Sequence, residues 1–313
     1  MKLSVVTTLY CSASYISEYY VRASAAAQAV AGNDYELVFV NDGSPDESLD
    51  LVVNLVRDDP HVKVIDLSRN FGHHKAMMTG LAHASGDLIF LIDCDLEESP
   101  EWLPEFADLL DQEECDVVYG VQVRRKGGVF ERWTGRWFYR GFKILTGIDL
   151  PEDVVTARLM TNRYVQALIE HHEREIFIAG LWHATGFKQR GKPVTKLNTS
   201  ETTYTFSRKL SLLVESVTSF SNAPLVGIFY TGFLLAAFAS AYIVYLLVNR
   251  LVLSQPLTGW TSVMASIWLL GGTVITFIGV LGMYLAKIYS ETKQRPYTIV
   301  RQLHEGKPKG DAR

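Results

Sequence analysis

Short apolar runs rich in β-branched residues recur through the first part of the chain, and longer stretches of helical spacing separate them. Leu3–Leu9, Glu36–Asn41, Val62–Leu67, Leu88–Ile92 and Asp116–Tyr119 read as strands. Helices are expected around Ile16–Val30, Asp46–Arg57, His74–Ala84 and Glu101–Leu110. Strand and helix alternating at this spacing predict an α/β domain with a parallel sheet covered on both faces. In such sheets ligands bind beyond the carboxyl ends of the strands.

The pattern changes completely further on. No charged side chain occurs from Ala223 to Val248 or from Val263 to Ala286. Each run exceeds the roughly 20 helical residues needed to cross about 30 Å of hydrocarbon. Two transmembrane helices at 223–248 and 263–286 are therefore expected, joined by a short turn with Arg250 as its charge, together filling residues 223–287. Leu210, Leu213, Val214 and Val217 recur at helical spacing beside Arg208, Lys209 and Glu215, which predicts an amphipathic helix over 207–222 in the headgroup layer. Asn222-Ala223-Pro224 then turns the chain into the bilayer.

This organises the chain as a cytosolic α/β domain over 1–206, the interfacial helix, the hairpin and a basic tail over 288–313. Arg208 and Lys209 before the first span, and Lys287, Lys293, Arg295, Arg301, Lys307 and Lys309 after the second, place both termini in the cytoplasm of a multi-pass inner-membrane protein. The start, Met1-Lys2-Leu3-Ser4, shows no signal-peptide pattern. Within the spans, Gly227 and Gly232, or Gly271, Gly272, Gly279 and Gly282, allow close helix contact, either within the hairpin or in a homo-oligomer.

Composition adds two constraints. The net charge of −4 gives no global basic field, so nucleic acid is not an expected partner and any anion site must be built locally. Three cysteines, Cys11, Cys94 and Cys115, have no metal-type spacing and read as reduced, buried packing residues.

The polar residues that carry chemistry stand where the strands end. Asn41-Asp42-Gly43-Ser44-Pro45-Asp46 follows the second strand, where Gly43 permits a tight turn, Asp46 can cap the next helix and Asp42 is either a base contact or ordinary turn chemistry. The third strand exits into Ser68-Arg69-Asn70-Phe71-Gly72-His73-His74-Lys75. Gly72 frees the backbone at a helix N-terminus suited to phosphate, and Lys75 reads as a phosphate or solvent contact. His73 and His74 are adjacent and do not share a helix face, so they are not expected to bind a metal. The fourth strand ends in Asp93-Cys94-Asp95-Leu96-Glu97-Glu98. Asp93 and Asp95, with Glu97, can converge there on Mg²⁺ or Mn²⁺ completed by diphosphate oxygens, while Glu98 and Ser99 read as helix-capping residues.

Taken in order, Ser4-Val5-Val6 leading to Tyr10, Val40-Asn41-Asp42-Gly43-Ser44, Arg69-Asn70-Phe71-Gly72, Asp93-Cys94-Asp95-Leu96, Arg158-Leu159-Met160 and Thr218-Ser219-Phe220-Ser221 resemble family 2 glycosyltransferases of the GT-A fold, and within them the polyprenyl-phosphate sugar transferases. The resemblance spans nearly the whole chain. It implies a GT-A (Rossmann-like) domain that takes a nucleotide-sugar donor, a polyprenyl phosphate acceptor and a lipid bilayer as partners. It makes Asp93 and Asp95 the catalytic pair, and Thr8, Tyr10, Asp42, Asn70, Gly72, Lys75, Asp93 and Cys94 the donor contacts. Glu97 stands where glutamine is common. Arg125, Arg132 and Arg136, with Arg208 and Lys209, look like the residues that hold the lipid phosphate.

Two positions depart from the family pattern. The turn Thr8-Leu9-Tyr10-Cys11-Ser12 has threonine, cysteine and serine where proline, asparagine and glutamate are usual around the tyrosine, and Thr156 replaces an aspartate proposed elsewhere as catalytic base. A phosphate monoester is already largely a dianion near neutral pH, so the expectation here is direct inverting attack without a base. Two rival readings are a polysaccharide synthase, whose glutamine-x-x-arginine-tryptophan motif is absent, and a catalytically silent membrane scaffold, against which the Asp93–Asp95 pair argues.

Overall fold

The computed structural model describes residues 1–123, 143, 153–174, 176–197, 218, 221–253 and 259–306. Contacts divide the chain into a sheet unit, Met1–Tyr139 with Asp149–Thr205 and Arg295–Arg313, and a helical unit, Arg140–Ile148 with Phe206–Gln294.

The sheet unit begins with five strands separated by four helices. These are β1 (Leu3–Leu9), α1 (Ala13–Ala31), β2 (Tyr35–Asn41), α2 (Ser48–Asp58), β3 (Val62–Leu67), α3 (His73–His83), β4 (Leu88–Leu91), α4 (Trp102–Gln112) and β5 (Val117–Gln122). β6 (Val154–Thr161), α5 (Asn162–Ile169), α6 (Ile178–Ala184) and β7 (Gln189–Val194) follow. β8 (Val300–Glu305) closes the unit after the helices of the other one. The strand order is β7-β5-β6-β4-β1-β2-β3-β8.

Only part of this sheet is parallel, which corrects the expectation. β1, β2, β3 and β4 run parallel, whereas β6 is antiparallel to both β4 and β5, and β8 is antiparallel to β3. β6, β7 and β8 were not foreseen. β6 follows directly on 124–152, where no alternation was read, and β7, Gln-Arg-Gly-Lys-Pro-Val, is too polar and too interrupted to announce itself as a strand.

The central strands are buried on both faces, as continuous β-branched runs require. On one face α1 supplies Ile16, Tyr19, Ala23, Ala26 and Ala27 at three- and four-residue spacing and packs beside α2 and α4. On the other, α3 lies over β1 and β2 and meets α5. Gly80 of α3 is tightly placed: a Cβ there would stand 2.5 Å from Val6 Cγ1.

In the helical unit, α7 spans Ala223–Leu253 and α8 spans Trp260–Thr292. Both run beyond the predicted spans, and α7 continues through Asn249 and Arg250, which are tolerated in a helix that has already nucleated. Ser221 caps α7, its Oγ accepting the Ala223 amide at 3.0 Å, and Tyr284 of α8 donates its hydroxyl to the Ser221 carbonyl at 2.7 Å. Among the described residues one stretch, Ser266–Thr292, is long and apolar enough to cross a membrane, and none of it is buried. A shorter apolar stretch covers Ala223–Ala239. The predicted interfacial helix over 207–222 lies almost wholly outside the described residues, as do Arg125, Arg132, Arg136, Arg208 and Lys209.

Candidate active site

The ends of β1, β2, β3 and β4 all face the same edge of the sheet, and the loops that leave them are bonded to one another. Asp42, the residue after β2, is buried, and its carboxylate receives two amides from the loop after β3: Phe71 N to Oδ1 at 2.7 Å and Gly72 N to Oδ2 at 3.0 Å. Asp42 thus fixes the Arg69–Gly72 loop, whatever else it contacts. Gly43, at φ +61°, lets the two loops touch backbone to backbone, since a Cβ there would lie 2.4 Å from Asn70 N. Gly72, at φ +104°, then starts α3, whose first free amides face this edge.

The turn after β2 is tied equally firmly to β1. Asn41 Oδ1 accepts the Ser44 amide at 3.1 Å, and Ser44 Oγ receives the Cys11 amide at 2.8 Å and donates to Asp46 Oδ1 at 2.5 Å. Asp46 also accepts from the amides of Ala13 (3.1 Å) and Ser48 (3.1 Å), so it bonds the first residue of α2 as expected. Partial burial works against its charge, but the bonds from Ser44, Ser48 and Ala13 hold its carboxyl at about 2. Cys11 is exposed at φ +54°, not a buried packing residue: the turn it occupies leaves its side chain on the outside. Tyr10 is exposed beside it, and Asn70 is exposed in the neighbouring loop.

Past β4 the acids separate into different roles. Asp93 is 20% exposed, yet its Oδ1 is sealed from solvent and makes no hydrogen bond. His73 Nε2 stands 3.4 Å from that oxygen, while His73 Nδ1 shares a 2.9 Å hydrogen bond with Thr8 Oγ1 at the end of β1. Burial and the neighbouring charges of Asp95 and Glu97 push the Asp93 carboxyl well above the usual range, opposed by a bond from the Thr156 hydroxyl and by Lys196. Asp95 Oδ1 accepts the Glu97 amide at 3.0 Å, shaping the loop. Glu97 pairs with Lys196 Nζ at 3.3 Å. Cys94 is buried in the hydrophobic core.

Glu98, read from sequence as a capping residue, is fully buried and does something else. It accepts the amides of Thr156 (3.0 Å) and Ala157 (2.6 Å) and pairs with Lys196 Nζ at 3.2 Å. Burial and the Asp93 charge raise its pKa. The antiparallel register Leu91↔Arg158, continued by two residues, brings Thr156 opposite Asp93. Buried Arg158 donates to the carbonyls of Thr156 (3.2 Å) and Val155 (3.4 Å) and lies over the Trp182 ring, fixing the strand from behind. Lys196, Glu98, His73 and Arg158 therefore belong to the site although sequence spacing did not assign them roles there; the Arg158-Leu159-Met160 motif alone hinted at β6.

These residues are compatible with a divalent cation. Mg²⁺ takes one or two protein carboxylates and fills its other positions with phosphate oxygens and water. Asp93 Oδ1, an acceptor buried without a donor, suits that role, with Asp95 one bend away. Among the described residues no three acid, histidine or cysteine side chains form a ready cage, so such an ion would need oxygens from the donor.

A GT-A-like α/β sheet with an acidic loop after β4 and glycine-shaped loops after β2 and β3 is the architecture of a nucleotide-sugar glycosyltransferase. The chain belongs to glycosyl transferase family 2, whose model matches residues 4–207. It is 51% identical, over 97% of its own length and 89% of the relative's, to a protein of Mycobacterium tuberculosis (strain CDC 1551 / Oshkosh) that bears the name "Putative glycosyltransferases". It is 32% identical to the SfII prophage-derived bactoprenol glucosyl transferase of Shigella flexneri, covering 98% of this chain and all of that one (100%). Among solved structures, S. aureus TarS 1-349 is 21% identical with a TM-score of 0.44, covering 62% of this chain and 60% of that one.

Proposed function

We propose that this chain transfers a sugar from a nucleotide-sugar donor to polyprenyl phosphate at the cytoplasmic face of the membrane, with inversion at the sugar carbon. The bactoprenol glucosyl transferase relative, aligned from end to end, supports the lipid acceptor. The observation that carries the chemistry is the Asp93 carboxylate: pushed up by burial, one oxygen without a donor, at the edge where the loops after β1, β2 and β3 meet.

In this reading Asp93 and Asp95 hold Mg²⁺ or Mn²⁺, which when bound offsets the charge that builds on the departing nucleoside diphosphate. The first amides of α3 and Lys75 attract the diphosphate. Asp42 holds the Asn70–Gly72 loop at the base or ribose, with Thr8 and Tyr10 closing the β1 side. An acceptor phosphate oxygen attacks the sugar carbon as the bond from that carbon to the diphosphate oxygen breaks. No side chain needs to take a proton, because the phosphate dianion carries none at the attacking oxygen. Thr156 acts by holding Asp93, and rate enhancement comes from positioning and charge. Arg125, Arg132, Arg136, Arg208 and Lys209 supply the cations for the lipid phosphate.

Chain path supports two membrane crossings. β8 follows α8 yet completes the same sheet that β1 begins, so a chain that crosses once at Ser266–Thr292 must also cross back. The charge-free run 223–248 within α7 is the available second span.

The test is to incubate the purified full-length protein with a panel of labelled nucleotide sugars, undecaprenyl phosphate and Mn²⁺, and to extract the lipid. A sugar on the lipid, of inverted anomeric configuration, is expected with one donor. No lipid-linked sugar with any donor would instead favour the silent-scaffold reading.

A further inference from the structure

The strand that follows the membrane helices reaches back to the loops of the donor site through a chain of polar contacts centred on the buried Asn41–Asp66 pair. Arg301 of β8 places Nη1 3.4 Å from Asp66 Oδ2 and donates from Nη2 to the Ser68 carbonyl at 2.6 Å. Asp66, on β3, is buried, and its Oδ1 accepts the Asn41 side-chain amide at 2.8 Å. That bond dictates which way the Asn41 amide faces, leaving Asn41 Oδ1 to accept the Ser44 amide at 3.1 Å. Ser44 in turn bonds Cys11 and Asp46. One guanidinium thus stands behind both the turn after β2 and the first residue of the loop after β3.

The geometry points to Arg301 as a positioning residue for nucleotide-sugar binding, acting through Asp66 and Asn41 on the Asn41–Asp46 turn and through Ser68 on the Arg69–Gly72 loop. This rests on the reading of those loops as the donor site. The physical reason is charge. A buried carboxylate without a cation is costly, and Asp66 relieves that cost either by pairing with Arg301 or by turning toward other donors, releasing the Asn41 amide as it does so. β8 is otherwise well seated, by the ladder to β3, by Ser68 N to the Ile299 carbonyl at 2.9 Å, by Thr79 Oγ1 to Thr298 Oγ1 at 2.7 Å and by Lys63 to Glu305 at 2.9 Å. Loss of one side chain that is 56% exposed should therefore leave the strand in place. A consequence follows for synthesis: the donor site reaches its final form only after the chain has left the helical unit and β8 has docked.

The experiment uses the full-length protein in detergent, as wild type, Arg301→Ala, Arg301→Lys, Asp66→Asn and the double variant. Donor KM, acceptor KM and kcat are measured, together with Mn²⁺-dependent binding of the nucleoside diphosphates UDP, GDP, ADP and TDP, and amide hydrogen exchange. Arg301→Ala should raise donor KM and nucleoside diphosphate Kd about tenfold, in the range found when outer-shell partners are removed, with kcat and acceptor KM within about twofold. Residues 41–46 and 68–72 should exchange faster while β1 and β4 do not. Arg301→Lys should recover part of the loss. In the Asp66→Asn background the effect of Arg301→Ala should shrink, because the charge it answers is gone. Unchanged exchange in Arg301→Ala overturns the relay, and so does full additivity in the double variant. Faster exchange with unchanged donor KM and diphosphate Kd overturns its functional role. Wild-type protein that binds none of the four diphosphates would sink the donor-site reading and the positioning role with it, while exchange at 41–46 still decides the relay.

Discussion

His73 Nε2 lies 3.4 Å from Asp93 Oδ1, and the other ring nitrogen of His73 is bonded to Thr8, so one imidazole joins the ends of β1 and β4 across the site. Asp93 Oδ1 has no hydrogen bond, which leaves His73 as its near neighbour and orienting group. Replacing His73 by asparagine should lower kcat by about 10- to 100-fold, the usual cost of removing a group that orients a ligating side chain. The melting temperature should move little, because the ring is half exposed. Steady-state kinetics alongside a thermal melt checks both halves.

Asp93→Asn should reduce transfer by about 10²-fold or more, on the scale of losing a principal electrostatic group. It removes an electrostatically crowded charge, so the fold should be kept or slightly stabilised. Chelation by EDTA should abolish transfer in the wild type, and Mn²⁺ should restore it. Full activity in EDTA would rule out the metal reading of Asp93 and Asp95.

Thr156→Asp tests whether a base is wanted. Thr156 stands opposite Asp93 across the β4–β6 register and has its amide held by the buried Glu98. A carboxylate at 156 would crowd a third charge against Asp93 and Glu98, so turnover should fall. A large rise in turnover would show that proton abstraction limits the reaction and would overturn direct attack by the phosphate dianion.

Gly43→Ala should cost about 1–2 kcal/mol from the left-handed backbone alone. The added Cβ also meets the Asn70 amide at 2.4 Å, so the loops after β2 and β3 must part. Donor KM should rise while acceptor KM stays constant, which substrate titrations at fixed co-substrate read directly.

Asp46 gives a pH dependence of known sign. Its folded carboxyl is held at about 2, below an unfolded value near about 3.9. Its contribution to stability is therefore complete above that unfolded value and lost as pH falls through about 2. Wild type should melt above Asp46→Asn at pH 6, and the gap should close on acidification; a gap that widened instead would contradict the assignment.

The sheet's first half was legible because burial on both faces leaves an unmistakable mark: β1 to β4 are apolar runs, and their helices carry a periodic apolar face. β5 was read as well, but β6, β7 and β8 were not. β6 lies antiparallel against β4 and β7 pairs with β5 some 70 positions earlier in the chain, and neither has a pattern that names its partner. β8 sits beyond two long helices and pairs with β3 through a register that shifts between Asp66 and Leu67.

The site divides along the same line. By itself the sequence pointed to the loops of the candidate site, because Asp42, Gly43, Gly72, Asp93 and Asp95 all lie in loops that leave the carboxyl ends of strands. It also determined that two long charge-free runs follow, since composition alone sets that property. Only the tertiary structure decided what each acid does. Glu98 became a buried clamp on Thr156 and Ala157, Glu97 a partner of Lys196, and Asp42 a holder of Phe71 and Gly72. Those roles depend on which distant strand lies alongside, and a carboxylate's charge, burial and free oxygen are set by neighbours that no local spacing encodes.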